Sequence, residues 1–300
     1  MIPPKRIVFS GGGVKVIGFV GSLQVLYEKG YLKSVKEYCG VSAGAFLAFM
    51  MAAQVSLKLI ESLILELDFS VIRNLTPEGI IGFPETFGLD DGHNLSRFLE
   101  SILKYAIKMD ATMTFTDLHI KSPIHFRCWA ADLISKTPRE FSFEKTPTVR
   151  IVDALRATMS LPFYYCPVLD PLTGHLLTDG GVHGNLPIYL LEPNEQNEML
   201  ALGFGVSNTI NISSNKTQEI SDVLTYMNKI LLCLIQGRNK ELYTKWSHRI
   251  CQLPLESYPA WNFELSRDDR LMLISVGLKS MNQWLNVGPR RIQLSRRNSI

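Results

Sequence analysis

The chain has 300 residues, which is enough for one sizeable α/β core with a modest appendage. Its composition, with 46% hydrophobic and 20% charged residues and a mean hydropathy of +0.08, excludes a disordered or repetitive chain. The net charge of +3 is too small to predict a nucleic-acid-binding protein. We therefore expect a globular protein with no nucleic-acid partner.

Cysteine spacing and hydropathy exclude further classes. The five cysteines are scattered and form no CxxC pair or Cys/His cluster with metal-ligand spacing, so we predict no metal site and a reducing, intracellular setting. The first ten residues lack the apolar core of a signal peptide. The longest apolar stretch, Ala45 to Ala53, has nine residues, whereas a membrane span needs about 20. These features predict a cytoplasmic protein that contacts membranes at most peripherally.

The first part of the chain alternates strands and helices. Arg6 to Phe9 is a predicted strand, and Ile17 to Glu28 has helical apolar spacing that ends before Gly30. Val35 to Cys39 is a second strand, and a very apolar helix follows at Ala45 to Ala53. This order with short loops predicts a parallel sheet covered by helices on both faces.

The rest of the chain is more mixed. Pro77 to Gly92, rich in Gly, Pro and aromatic residues, predicts an irregular excursion. Ile220 to Leu234 carries a long amphipathic stripe, and the last twelve residues hold four arginines. Further helices are expected at 57–67, 94–107 and 151–159, and strands at 125–132, 139–143, 176–178 and 199–204. The predicted divisions are a core domain at 5–207, a mainly helical extension packing on it at 208–288, and a basic, flexible tail at 289–300.

Gly40-Val41-Ser42-Ala43-Gly44 carries the clearest chemical signal. Gly-x-Ser-x-Gly is typical of a nucleophile elbow, a sharp strand-to-helix turn that exposes the serine and requires small neighbours. A predicted strand precedes the motif and a predicted helix follows it, which is the context that an elbow needs. Because glycine and serine are common, an ordinary βα turn is the alternative for this motif taken alone.

Gly11, Gly12 and Gly13 lie between the first strand and the first helix. Residues without side chains allow backbone N–H groups to approach an oxyanion, which can contribute about 3–4 kcal/mol per donor in a transition state. The rival interpretation is a nucleotide-binding loop. A GxGxxG motif would need glycine where the chain has Val16, and there is no Walker pattern.

Asp179-Gly180-Gly181 follows a short predicted strand, so its carboxylate can project from the carboxyl edge of the sheet towards the same crevice. Asp-Gly pairs also mark ordinary turns, so this motif alone decides nothing. In an α/β-hydrolase triad the histidine follows the acid. Only His183 and His248 follow Asp179, and neither lies in a recognisable catalytic context.

Together, these motifs resemble the patatin-like phospholipase family over about residues 5 to 205, in the family's order and spacing. The matching segments are Gly11 to Lys15 for the oxyanion loop, Gly40 to Gly44 for the elbow, and Asp179 to Gly181 followed by Asn185-Leu186-Pro187 for the Asp motif, with weaker matches at Thr114 to Leu118 and Ala157 to Phe163. One departure is Val16, where the family usually has glycine. A β-branched residue cannot adopt positive φ cheaply, so we expect that the family's glycine permits close packing and that the loop is intact here.

The resemblance implies a three-layer α/β/α sandwich with a mainly parallel central sheet, and a Ser-Asp dyad that needs no metal or organic cofactor. Ser42 is then the nucleophile and Asp179 the general base. The amides of Gly11, Gly12 and Gly13 form the oxyanion hole, and the elbow and Asp-motif turns depend on Gly40, Gly44, Gly180 and Gly181. Because an unperturbed Asp is a weak base, with a pKa of about 3.9, we expect a largely dehydrated pocket around the pair.

The implied substrates are phospholipids or other acyl lipids, and the implied reaction is phospholipase A-type ester hydrolysis. The apolar residues Ile80, Ile81, Phe83 and Phe87 then form either a mouth for acyl chains or a packed loop. Two alternatives stay open: a carboxylesterase or thioesterase that uses a late histidine, and a catalytically silent relative that binds lipid or a partner. The oligomeric state is not predicted.

Overall fold

The computed structural model describes residues 3–205, 226, 229–230, 233, 241–255, 258–260 and 262–287. The predicted amphipathic helix at 220–234 lies largely outside these residues, and the basic tail at 289–300 lies wholly outside them. The strands are β1 (Arg6–Phe9), β2 (Glu37–Gly40), β3 (Gly88–Asp90), β4 (His125–Asp132), β5 (Thr137–Ser142), β6 (Phe163–Tyr165), β7 (Val168–Leu169), β8 (Leu176–Thr178), β9 (Met199–Phe204) and β10 (Ile250–Leu253). The α-helices are α1 (Ile17–Glu28), α2 (Ala43–Ala52), α3 (Leu57–Glu66), α4 (Pro77–Thr86), α5 (His93–Ser101), α6 (Phe115–Lys121), α7 (Ile151–Thr158), α8 (Pro193–Asn197) and α9 (Arg267–Val287).

The central sheet has the strand order β10-β9-β1-β2-β4-β8-β7, with β5 paired to β4. The five strands from β10 to β4 are parallel to one another, whereas β5, β7 and β8 form antiparallel pairs at the other side. The predicted α/β architecture with a mainly parallel central sheet is confirmed. The carboxyl ends of β1 and β2 therefore lie side by side, with Phe9 opposite Gly40.

Side chains alternate across the sheet, as the period of a strand requires. Ile7 and Phe9 face the larger core, which is shared with helices α1, α2, α3, α5, α7 and α9, whereas Val8 faces a smaller core on the opposite side. That smaller core includes Trp129 and the turn around Ile188. Near-continuous apolar strands are typical of a parallel sheet that is buried on both faces.

The chain returns to the sheet after residue 207, where the sequence predicted the core to end. Strand β10 pairs with β9 in parallel, and α9 packs along α1. The buried guanidinium of Arg270 donates hydrogen bonds to the carbonyls of Ile64 and Leu67, at the end of α3. The extension thus completes the sheet as well as adding a helix, and the division at residue 207 stays a prediction.

The segment predicted to be irregular contains a regular helix, α4. Thr76 caps this helix by accepting a hydrogen bond from the Gly79 N–H, and Pro77 occupies the first turn, where its missing N–H does no harm. The glycines and prolines of this segment therefore do not prevent a helix. No described helix, α4 included, has the length and apolar character to cross a membrane.

Candidate active site

Ser42 lies on a sharp turn between β2 and α2. Its backbone has φ 53° and ψ −138°, a strained conformation that a non-glycine residue rarely adopts. A Cβ atom at Gly40 would lie 2.6 Å from the carbonyl carbon and oxygen of Gly44, so the two ends of the turn leave no space for a side chain. The local geometry is that of the nucleophile elbow predicted from the sequence.

Asp179 follows β8 and lines the same cavity as Ser42, and the Ser42 hydroxyl lies close enough to lower the pKa of the Asp179 carboxyl. Asp179 Oδ1 also accepts a hydrogen bond of 2.7 Å from the Gly181 amide. Asp179 is 5% exposed, and burial raises its pKa to about 6, although the nearby Ser42 hydroxyl and the hydrogen bond from the Gly181 amide act in the opposite direction. The site thus holds a hydroxyl beside a carboxylate of unusually high basicity.

The strand before Asp179 does not end at the carboxyl edge of the sheet, as the sequence predicts, because it runs in the opposite direction. β8 is antiparallel to β4, with Thr178 opposite Ala131. It therefore enters the sheet from beyond the carboxyl ends of the parallel strands. Because Thr178 pairs with Ala131, Asp179 follows beside Ala130, and a Cβ atom at Gly180 would lie 2.1 Å from the Trp129 carbonyl oxygen.

The glycine loop approaches the same place, but its three amides are not equivalent. The Gly11 N–H donates to the Asn185 carbonyl at 2.9 Å, and Asn185 Nδ2 donates back to the Gly11 carbonyl at 2.7 Å. Gly11, predicted as an oxyanion donor, is therefore committed to binding the loop that follows Asp179. Within the described residues, the amides of Gly12 and Gly13 have no hydrogen-bond acceptor.

Gly13 is held by a residue of the C-terminal extension. Its φ of 55° favours glycine, and a Cβ atom there would lie 2.1 Å from the Ala260 carbonyl oxygen. The same carbonyl accepts a hydrogen bond of 3.0 Å from the Val14 amide. The extension thus contributes directly to the geometry of the glycine loop, which no sequence pattern indicated.

Val16 needs no special backbone conformation. Its φ of −62° and ψ of −16° are those of an ordinary right-handed helix, so a β-branched residue is accommodated without strain. The Val16 side chain lines the cavity described next. The loop is therefore not reshaped by the absence of the glycine.

A cavity of about 140 Å³ begins at Ser42 and Asp179 and runs between α2, α3 and α5. Apart from the dyad, the polar side chains in its lining are those of Tyr164 and Tyr165. The remaining lining side chains are apolar, among them Phe46, Leu63, Phe98 and Phe263. None of the six histidines lines it, and all six are described.

The predicted acyl-chain mouth lies elsewhere on the molecule. Ile80 and Ile81 are on α4, where they are 62% and 80% exposed, and Phe87 is also exposed. Neither these residues nor Phe83 line the cavity, so they do not form its walls, and their role as a mouth for acyl chains stays a prediction. The segment forms a helix, α4, on which Ile80 and Ile81 are exposed and Phe83 is half-buried.

The chain belongs to the patatin-like phospholipase family, whose model matches residues 7–191. It is 26% identical over 297 residues to the protein YqhO of Bacillus subtilis (strain 168), a match that covers 92% of this chain and 98% of that protein. It is 24% identical over 185 residues to the probable lipid hydrolase 463L of Invertebrate iridescent virus 6, covering 61% and 62% of the two chains. The fold is similar to that of VipD from Legionella pneumophila, with a TM-score of 0.58 at 16% identity, covering 95% of this chain and 67% of that one.

Proposed function

We propose that this protein is a lipid acyl hydrolase of the phospholipase A type that uses a Ser42–Asp179 dyad. The observation that carries the proposal is that the Ser42 hydroxyl and the Asp179 carboxylate lie beside each other in the lining of an apolar cavity. Membership of the patatin-like phospholipase family and the similarity to a probable lipid hydrolase support it at the level of lipid hydrolysis.

The reaction proceeds in two halves. Ser42 Oγ attacks the ester carbonyl as Asp179 takes its proton, and the leaving alcohol departs with that proton, which leaves an acyl group on Ser42. Asp179 then takes a proton from water, the resulting hydroxide attacks the acyl carbonyl, and the proton returns to Ser42 as the fatty acid leaves. A carboxylate with its pKa raised to about 6 is a better base for both steps than an ordinary aspartate.

Three amides are placed to bind the oxyanion. Gly12 and Gly13 lie in the loop beside Ser42, and their N–H groups are unused within the described chain. Ala43 is the first residue of α2, where the first N–H groups have no acceptor inside the helix and the helix dipole favours negative charge. Each such donor typically contributes about 3–4 kcal/mol in the transition state.

The cavity determines the class of substrate. Its apolar walls bind an alkyl chain, and its polar end holds the reacting ester at the dyad. Such a substrate is an amphiphile that resides in membranes or micelles, so the protein contacts lipid surfaces peripherally during turnover. A histidine-dependent triad finds no support, because no histidine lines the cavity and the carboxylate beside Ser42 is that of Asp179.

Fatty-acid release tests the proposed function. Purified protein is incubated with phosphatidylcholine vesicles and, in parallel, with a water-soluble acetyl ester. We expect kcat/KM for the long-chain lipid to exceed that for the acetyl ester by at least about 100-fold, because each buried methylene contributes about 0.8 kcal/mol. A clear preference for the acetyl ester would indicate a generic esterase, and no hydrolysis of either by folded protein would indicate a silent relative.

Gly13→Ala tests the oxyanion loop. The new Cβ meets the Ala260 carbonyl at 2.1 Å and requires a φ of 55°, so the loop has to move away from Ser42. We expect kcat to fall about 100-fold or more, because removing one oxyanion donor costs that much in related chemistry. The measurement is the initial rate of fatty-acid release together with the melting temperature.

Gly30→Ala is the matched control. Gly30 also has a positive φ, of 76°, but nothing lies within 4 Å of its Cβ position. Alanine at position 30 therefore has the same unfavourable positive φ, which costs about 1 kcal/mol, but its Cβ contacts no other atom. We expect unchanged kcat for this variant. Equal losses of kcat in the two variants would contradict a specific role for the Gly13 loop.

A further inference from the structure

The backbone amide of Ser42 has a partner far away in the sequence. It donates a hydrogen bond of 2.9 Å to Thr158 Oγ1, at the last residue of α7. The Thr158 hydroxyl in turn donates to the Trp129 carbonyl of β4 at 2.5 Å. Thr158 is 0% exposed, so both bonds are shielded from water. The hydroxyl thus accepts from the elbow and donates to the sheet at the same time.

The amide of Asp179 is bound by the same short stretch of chain. It donates a hydrogen bond of 2.9 Å to the Ser160 carbonyl, which also accepts one of 2.7 Å from Thr178 Oγ1. Ser160 is itself fixed, because its hydroxyl donates to the Arg156 carbonyl within α7 and accepts from the Arg156 guanidinium. The Thr158 hydroxyl and the Ser160 carbonyl, which are two residues apart, therefore hold the backbone amides of Ser42 and Asp179.

This arrangement bears directly on the dyad. A residue in the conformation of Ser42 carries about 1–3 kcal/mol of strain and keeps it only where its surroundings fix the backbone. The bond to Thr158 also occupies the Ser42 N–H, so this amide is not an oxyanion donor. A misplacement of about 1 Å can lower a rate about 100-fold, so the residue that fixes this amide affects catalysis without contacting the substrate.

We propose that Thr158 is a positioning residue of the dyad. Its hydroxyl fixes Ser42, the neighbouring Ser160 carbonyl fixes Asp179, and the end of α7 thereby sets the distance between nucleophile and base. The role requires a side chain that accepts one hydrogen bond and donates another, which threonine and serine do and valine does not. The inference rests on the proposed function, because it concerns the same pair of residues.

Thr158→Val removes the hydroxyl and keeps the shape of the side chain, and Thr158→Ser keeps the hydroxyl. The matched control is Thr146→Val. Thr146 is also 0% exposed, and its hydroxyl likewise accepts from one backbone amide and donates to one carbonyl, both of Ser142, outside the site. Both valine variants thus lose the same two kinds of hydrogen bond in equally buried positions.

Four quantities are compared for each variant: kcat and KM on phosphatidylcholine vesicles, the rate of labelling by a fluorophosphonate, and the melting temperature. We expect Thr158→Val to lower kcat and the labelling rate about 100-fold, with KM changed less than about threefold. Thr158→Ser should stay within about fivefold of wild type, and Thr146→Val should lose a similar amount of melting temperature with kcat unchanged. Thr158→Ala, which needs no extra space, gives the same comparison if Thr158→Val does not fold.

The outcomes separate the inference from the proposed function. An active wild type with an equally active Thr158→Val would contradict the positioning role alone. Equal losses of kcat in Thr158→Val and Thr146→Val, or a serine variant as slow as the valine variant, would also overturn it. Folded wild-type protein that neither hydrolyses lipid nor reacts with the fluorophosphonate would contradict the proposed function, and the role of Thr158 with it.

Discussion

Ser42→Ala is expected to lower fatty-acid release from phosphatidylcholine vesicles by at least about ten thousandfold and to abolish labelling by a fluorophosphonate. Ser42 carries the aliphatic hydroxyl in the cavity lining, beside the Asp179 carboxylate, and alanine leaves only substrate binding and the oxyanion donors. The fold should persist, because alanine meets the same backbone strain as serine and no bulk is added. Initial rates and intact-protein mass after labelling measure the effect.

Ser22→Ala is the control for loss of a buried serine hydroxyl. Ser22 is fully buried on α1 and donates a hydrogen bond to the Gly277 carbonyl, away from the cavity. We expect it to lose some stability and to retain wild-type labelling. Hydrolysis or labelling that survives in Ser42→Ala would show that the nucleophile is another residue.

Asp179→Asn is expected to abolish hydrolysis and at the same time to stabilise the protein above about pH 6. Burial raises the pKa of Asp179 from its ordinary value to about 6, so above that pH the fold carries a carboxylate that it disfavours. The wild type therefore loses stability as pH rises from about 4 to about 6, whereas the neutral amide does not. The difference reaches at most about 3 kcal/mol and disappears below about pH 4. Urea unfolding at both ends of this range measures it.

Asp170→Asn gives the opposite result if this account is correct. Asp170 is as buried as Asp179, but it forms an ion pair of 2.5 Å with Arg139 outside the cavity. Neutralising it leaves a cation without its partner, so we expect lower stability at about pH 8 and unchanged kcat. If Asp179→Asn is instead less stable than wild type at that pH, or retains hydrolysis, Asp179 is not the buried base.

The acid limb of the pH–rate profile is expected to follow the ionisation of Asp179. It has to be ionised to accept the proton of Ser42, so kcat/KM for wild type should fall below about pH 6 with the slope of a single proton. An ordinary aspartate would place this limb near pH 4. The pH at which kcat/KM falls thus measures how far burial raises the pKa of Asp179.

The parts of the site that depend on local chain geometry could be predicted from the sequence. The elbow at Ser42 needs small neighbours within a few residues, and Gly40 and Gly44 provide them. The catalytic role of Asp179 is predicted only from the resemblance to the family, because an Asp-Gly pair alone also marks ordinary turns. The direction of β8 could not be predicted, because it depends on pairing with β4, far away in the sequence.

The features of the site that the sequence does not predict depend on contacts between distant segments of the chain. Thr158 binds an amide 116 residues away, and nothing in its neighbourhood distinguishes it from any buried threonine. The sequence does not distinguish Gly11 from Gly12, whereas in the structure the Gly11 amide donates a hydrogen bond to the Asn185 carbonyl. Ala260 lies beyond the 7–191 match to the family, and its carbonyl nevertheless contacts the glycine loop. The sequence does not predict helix α4, because glycine and proline usually interrupt helices, although Thr76 and Pro77 form a regular helix start.

The most direct test of the Ser42–Asp179 mechanism is to capture the acyl-enzyme. Wild-type protein is mixed with phosphatidylcholine vesicles and quenched in acid within a single turnover, and its peptides are analysed by mass spectrometry. We predict that the peptide containing Ser42 gains the mass of one fatty acyl group and that Ser42→Ala shows no such gain. Fatty-acid release with no acyl adduct, or with the adduct on another residue, would contradict catalysis through an acyl-Ser42 intermediate.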